Sequence, residues 1–144
     1  MVWLKAFISG FLATLIFHQG LFAVLHAVGV VPMPAYNLGG VPPLGVPAVI
    51  SSAFFGGLWG MALWAAVRKL PTVAFWVTAV AFGAIGPTVV AMLVVFPMKG
   101  IAVSGAMWIL GMILNGFWGL GTALLMLVMG ERRSRARHPE ASVR

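Results

Sequence analysis

The sequence predicts an all-α integral membrane protein with four transmembrane helices, on the basis of two observations. The 144-residue chain is 62% hydrophobic and 8% charged, with a mean hydropathy of +1.07. This composition cannot supply the polar surface of a soluble domain. Between Lys5 and Glu131 the charged residues are Arg68, Lys69 and Lys99, which leave uncharged runs of 62, 29 and 31 residues. Because about 20 apolar residues cross a bilayer, the first run suits two crossings and each later run suits one.

The four helices can be placed within these runs. They are expected near residues 4–30, 48–67, 73–96 and 101–129. They form one transmembrane domain, residues 1–130. A basic cytoplasmic tail follows it, residues 131–144, which is expected to be disordered.

The basic residues predict the orientation of the chain. Lys5 precedes the first helix, and Arg68 and Lys69 join the second to the third. Four arginines follow the fourth helix: Arg132, Arg133, Arg135 and Arg137. Since loops rich in Lys and Arg stay in the cytoplasm, both termini are expected there. The net charge of +7 therefore does not indicate nucleic acid. The tail is interpreted as a topology signal that can also meet anionic lipid headgroups, at about 1 kcal/mol per basic residue.

Two hairpins share short motifs. Gly57-Leu-Trp-Gly60 in the second helix matches Gly116-Phe-Trp-Gly119 in the fourth. Val31-Pro-Met-Pro34 after the first helix matches Phe96-Pro-Met-Lys99 after the third. The matches predict two parallel hairpin repeats, related by a pseudo-twofold axis along the membrane normal. Chance is the alternative, because Gly, Trp and Phe are frequent in this chain.

The loop at residues 31–47, on the outer side, contains five prolines, three glycines and no charge. This composition excludes a regular helix. The expected structure is a cover lying at the membrane interface. A re-entrant segment or a lid over a site is the alternative, because irregular backbone at membrane depth must be buried or line a cavity.

Four residues form a candidate polar site inside the membrane. His18 and Gln19 lie near the middle of the first helix, Asn115 lies near the middle of the fourth, and Pro87 lies inside the third. Such groups either mark a functional path or bind neighbouring helices through hydrogen bonds. Pro87 is expected to kink its helix and to free the carbonyl of Gly83, for which the other three side chains are candidate donors.

A second candidate site involves the outer loop. His26 lies near the end of the first helix, and Tyr36 and Asn37 are expected to be its hydrogen-bond partners. His18 and His26 cannot share one metal ion, because eight residues separate them by about 12 Å along the helix axis. A haem bound between subunits, with His18 as a ligand, stays open as an alternative.

The sequence lacks the residues that several kinds of catalytic and binding site require. The sequence contains no cysteine, no HExxH or GxSxG motif and no phosphate-binding loop. Its two carboxylates, Glu131 and Glu140, both lie in the tail. Carboxylate acid–base catalysis is therefore disfavoured, and the sequence predicts a protein that is not an enzyme and has no resident metal or cofactor.

Part of the chain resembles a known group. Phe17-His-Gln-Gly20, Tyr36-Asn37, Val41-Pro-Pro-Leu-Gly-Val-Pro47 and Gly56-Gly-Leu-Trp-Gly60 resemble short bacterial four-helix membrane proteins to which no activity is attached. The resemblance covers the first half of the chain and implies a bacterial inner membrane.

These observations favour a small inner-membrane protein that acts by binding, either as a homo-oligomer or as an accessory subunit of a larger complex. The alternative is a small channel or transporter with a path lined by His18, Gln19 and Asn115. A haem or quinone redox protein that uses His18 is a third hypothesis.

Overall fold

The computed structural model describes residues 1–131, so the tail arginines and the predicted disorder of the tail lie outside the described part of the chain. It contains four helices long and apolar enough to cross a membrane, α1 (Val2–Ala27), α2 (Ala48–Val67), α3 (Thr72–Met98) and α4 (Gly105–Val128). Two short strands, β1 (Gly40–Val41) and β2 (Val46–Pro47), pair antiparallel in the loop between α1 and α2. The helix count agrees with the prediction, and the helix ends lie within a few residues of the predicted ones.

Three of the helices end in the same glycine turn. Gly29, Gly100 and Gly130 have φ values of +78°, +68° and +82°. At Gly29 the amide of Val30 bonds to the carbonyl of Leu25, and the other two turns repeat this bond. This is a Schellman motif, in which a left-handed residue lets the next amide reach back to the helix. The motif explains why α1 ends before the predicted boundary at residue 30.

Both α1 and α3 contain one π-helical turn, at Thr14–His18 and Ala91–Val95. In α1 the amide of Gln19 bonds to the carbonyl of Thr14. In a regular α-helix the same amide would bond to the carbonyl of Leu15. The turn therefore releases the Leu15 carbonyl for another donor, and π-turns of this kind occur frequently at functional sites.

Glycines bring the two helices of the first hairpin into backbone contact. A Cβ on Gly10 of α1 would overlap the carbonyl oxygen of Gly56 and lie 2.9 Å from the Cα of Gly60. A Cβ on Gly60 would lie 2.6 Å from the carbonyl oxygen of Ala6. Such small-xxx-small contacts are a common basis of helix association in membranes.

The second hairpin uses the same arrangement. A Cβ on Gly83 of α3 would overlap the carbonyl oxygen of Asn115 and lie 2.9 Å from the Cα of Gly119. A Cβ on Gly119 would overlap the carbonyl oxygen of Ala79. In both hairpins an Ala-xxx-Gly pair on the first helix therefore meets a glycine on the second helix.

The two ends of the bundle differ in charge and packing. At one end, here called the basic end, Lys5 Nζ lies 2.8 Å from Glu131 Oε1, and the guanidinium of Arg68 lies 5.3 Å from the ring centroid of Trp3. Both ends of the described chain meet there. The other end, the loop end, carries the loop between α1 and α2 and Lys99.

The buried core lies between the middle of the bundle and the basic end. Its members are side chains from all four helices, among them Ala6, Leu63, Trp64, Phe75, Ala79, Trp118 and Met126. By contrast, the loop-end half of α1, Gln19–Ala27, has no buried residue. Added Cβ atoms on Gly20 and Gly105 would meet nothing within 4 Å. The first half of α1 is therefore tightly packed, whereas its loop-end half is exposed.

Candidate functional site

The loop is attached to α1 at the π-turn. The hydroxyl of Tyr36 donates to the Leu15 carbonyl at 2.9 Å, and the Tyr36 amide donates to Gln19 Oε1 at 2.8 Å. The acceptor of the first bond is the carbonyl that the π-turn releases. Tyr36 has a φ of +56°, an uncommon conformation for a residue other than glycine. The two bonds hold the loop against the middle of α1, and one of them occupies the side-chain oxygen of Gln19.

The same loop provides the first hydrogen bonds of α2. The carbonyls of Asn37 and Gly39 accept from the amides of Val49 and Ala48, and Asn37 Oδ1 accepts from the Gly39 amide. The first amides of a helix have no partner within it. Because Pro47 precedes α2 without a side-chain cap, loop backbone takes the place of that cap.

The three residues of the predicted outer-loop site contact different partners and not one another. His26 Nδ1 lies 3.0 Å from the carbonyl oxygen of Val31, in the turn that follows α1. Tyr36 contacts α1, and Asn37 contacts the start of α2. The expectation that Tyr36 and Asn37 bind His26 is not met. The reason is that the Schellman turn places a carbonyl of the helix's own connection next to the imidazole.

His18 closes the π-turn at the point where α1 leaves the packed part of the bundle. Its side chain is half-buried. Its Nδ1 is buried and has no hydrogen-bond partner within residues 1–131, a property shared only with Arg68 Nε in that range. Buried polar atoms in proteins nearly always have a partner. His18 is therefore the member of the predicted polar site whose hydrogen bonding is incomplete.

Asn115 and Pro87 lie in the second hairpin. Asn115 Nδ2 donates to Thr88 Oγ1 at 2.9 Å, which joins α4 to α3. α3 continues through Pro87, which has no amide hydrogen to donate to the carbonyl of Gly83. We expected Asn115, Gln19 or His18 to bond that carbonyl. Instead, Asn115 bonds the hydroxyl one residue beyond the proline.

A third polar cluster, formed around the carbonyl of Gly10, was not predicted from the sequence. The carbonyl oxygen of Gly10 accepts from the indole Nε1 of Trp118 at 3.0 Å and from Thr14 Oγ1 at 3.0 Å. Trp118 is 2% exposed, and its bond joins α4 to α1. No signal in the sequence indicates which carbonyl a buried indole would reach. Gly10 is accessible to the indole because it has no side chain.

The predicted polar site is thus distributed over two places. Gln19 and His18 lie at the α1 π-turn, while Asn115 and Pro87 lie at the contact between α3 and α4. The buried polar residues that sequence reasoning missed are Ser9, Thr14, Thr88 and Thr122. Thr14 and Thr122 each bond the carbonyl four residues earlier, a local pattern that makes such residues inconspicuous in a sequence.

The described chain contains no group of three or more His, Asp or Glu side chains that could hold a metal ion. Comparisons of the sequence and fold with family models, curated proteins and solved structures give no match.

Proposed function

We propose that the chain is a multi-pass protein of a bacterial inner membrane that acts by binding, as a homo-oligomer or as an accessory subunit of a membrane complex, and not as an enzyme. One observation carries the proposal. Two polar side chains of the interior join neighbouring helices, Asn115 to Thr88 and Trp118 to Gly10. Such bonds stabilise a bundle and leave few groups for chemistry. The apolar exterior of the helices is then available to lipid and to other proteins.

The purified protein tests this proposal. We expect extraction in a mild detergent to give a species larger than the 15.2 kDa chain, after the mass of the detergent has been subtracted, or to retain a second protein in stoichiometric amount. A second extraction in a harsh detergent, which dissociates helix contacts between proteins, serves as the control. A homogeneous monomer without a partner in the mild detergent contradicts the proposal.

We propose further that both termini face the cytoplasm. Lys5, Arg68 and Lys69 lie at the basic end, which supports this orientation by the positive-inside rule. Since the chain has no cysteine, Leu44→Cys and Lys69→Cys give single reactive sites at opposite ends. A membrane-impermeant maleimide should label Leu44→Cys in spheroplasts and Lys69→Cys only after lysis. The reverse pattern refutes the orientation.

A duplication of one hairpin is supported by the equivalence of the two glycine contacts. The motif match pairs Gly60 with Gly119, and these residues occupy the same place in the two hairpins. By the same alignment Gly56 corresponds to Asn115, and a Cβ added at Gly56 would overlap the hydroxyl of Thr14. In each hairpin the helix that carries the Ala-xxx-Gly pair, α1 or α3, also contains a π-turn.

A channel or transporter is the second candidate function. It is favoured by the unpartnered Nδ1 of His18 and by the exposed loop-end half of α1. Solute flux into proteoliposomes tests it. Flux that exceeds protein-free liposomes and falls in both His18→Ala and Asn115→Ala supports a path lined by these residues. Flux that neither substitution changes argues against it. A visible absorption spectrum without a Soret band removes the haem hypothesis.

A further inference from the structure

Arg68 is a cation that has no anionic partner within residues 1–131. Its guanidinium lies 5.3 Å from the ring centroid of Trp3, and its side chain makes no hydrogen bond or ion pair in that range. Glu131 is the only carboxylate side chain there, and it is paired with Lys5 at 2.8 Å. Residues 132–144 add one carboxylate side chain and five arginines. The anion that neutralises Arg68 is therefore expected from outside the chain.

The end of the Arg68 side chain is the part that can bind an anion. Nε is buried without a partner within residues 1–131, whereas the two terminal nitrogens are neither bonded nor buried there. Arginine binds phosphate through two parallel N–H···O bonds, and these two nitrogens can donate both. Trp3 is 42% exposed, so its ring restrains the guanidinium at the surface of the bundle. The terminal edge is left for a ligand.

The depth of Arg68 in the bilayer selects the source of the phosphate. α2 has 20 residues, which at 1.5 Å per residue gives about 30 Å, the thickness of the hydrocarbon core of a bilayer. Arg68 directly follows α2. An α2 that spans the membrane therefore places the guanidinium at the level of the lipid phosphates, where tryptophan side chains such as Trp3 are also enriched.

The neighbouring charge selects the kind of head group. Lys69 is exposed beside Arg68, and no carboxylate within residues 1–131 is free to neutralise it. A head group that carries its own cation, such as choline, would meet like charge at this place. A head group whose only charge is the phosphodiester would not.

We propose that Arg68 and Trp3 form a binding site for the phosphodiester of an anionic phospholipid. The terminal nitrogens of Arg68 bond two phosphate oxygens, and the Trp3 ring holds the guanidinium in position. This site differs from the general attraction of basic residues to a membrane, which depends on charge alone. It requires neither the partner nor the orientation proposed above, because both leaflets contain phosphodiesters, so each proposal can fail alone.

Binding of a fluorescent lipid to the purified chain tests the site. The probe is phosphatidylglycerol with a pyrene in one acyl chain, titrated in dodecylmaltoside micelles and detected by energy transfer from the tryptophans. Arg68→Lys keeps the charge but loses the fork, and it should weaken binding about fivefold. Trp3→Leu changes no charge and should weaken binding about threefold. Lys69→Arg, the matched control, should bind like the wild type.

Competition identifies the ligand. Unlabelled phosphatidylglycerol should displace the probe, and phosphatidylcholine or inorganic phosphate at the same concentration should displace much less. Equal displacement by phosphatidylcholine, or by inorganic phosphate, overturns the proposal, because the site would then not select an anionic lipid. Glu140→Gln should leave binding unchanged, and a severalfold gain would identify the Glu140 carboxylate as the ligand of Arg68 instead.

The variants give the remaining refutation. Wild-type affinity in Arg68→Lys or in Trp3→Leu overturns the proposal, because attraction by charge alone would leave both unchanged. Circular dichroism and elution volume confirm that the variants are folded. If Trp3→Leu does not fold, the comparison of Arg68→Lys with Lys69→Arg decides, since both substitutions conserve the charge.

Discussion

Gly10→Ala is the substitution that tests most directly how the first hairpin is held together. The new Cβ would overlap the carbonyl oxygen of Gly56 and lie 2.9 Å from the Cα of Gly60. Carbon atoms without strain are about 3.5 to 4.0 Å apart. Because both obstacles belong to backbone, no side chain can rotate away. α1 and α2 must separate instead.

The size of the effect follows from that separation. Restoring normal contact at Gly60 needs a movement of about 0.6 to 1 Å, which loosens the contacts on both sides of the crossing. Added methyl groups in well-packed interiors cost about 1–3 kcal/mol. The movement also strains the bond from Trp118 Nε1 to the Gly10 carbonyl, so we expect destabilisation in the upper half of that range.

Gly20→Ala is the matched control, since it makes the same chemical change in the same helix where a Cβ meets nothing within 4 Å. It should be neutral or slightly stabilising, because alanine favours helix over glycine by up to about 1 kcal/mol. Unfolding by SDS in mixed micelles, followed by tryptophan fluorescence and far-ultraviolet circular dichroism, measures both variants. Equal midpoints for Gly10→Ala and the wild type, or an equal loss in Gly20→Ala, would refute the assigned contact.

Three further outcomes are expected from the hydrogen bonds between elements. A double-mutant cycle of Asn115→Leu and Thr88→Val should give a coupling free energy of about 0.6 kcal/mol and no more than about 1.7; zero coupling contradicts the bond. Trp118→Phe should lower the free energy of unfolding by about 1 kcal/mol more than Trp59→Phe, because only Trp118→Phe removes the hydrogen bond to the Gly10 carbonyl of α1. Tyr36→Phe should speed hydrogen exchange in the π-turn about fivefold, with exchange at the basic end unchanged.

The positions of the helices were predictable because the charged residues of this chain lie at helix ends. Arg68 and Lys69 follow α2 directly, and no charge interrupts the apolar runs that form the helices. A bilayer admits few other arrangements of such runs. The two strands were not predicted. They contain two residues each, and no alternating pattern can be recognised in so short a segment.

The site was predicted only in part, and the reason is geometric. The sequence identified His18, Gln19 and Asn115 as polar groups in apolar helices, because residue type alone shows that a side chain is polar. Their partners depend on the rotation and depth of neighbouring helices. The π-turn adds one residue to a helical turn, which shifts every residue after Thr14 relative to the packed half. No composition signal marked that shift, so the bond between Tyr36 and Leu15 could not be foreseen.

The glycines explain why the first half of α1 is tightly packed and its loop-end half is exposed. Gly10 and Gly83 let two backbones meet, so each hairpin is held near its middle by contacts that a side chain would prevent. Towards the loop end no such contact follows, and the position of α1 there depends on two hydrogen bonds from Tyr36. Those bonds lie beside His18, whose buried Nδ1 has no hydrogen-bond partner in the described chain. Because the loop-end half of α1 has few buried contacts, it can open locally at a lower free energy than the half that the glycine contacts hold.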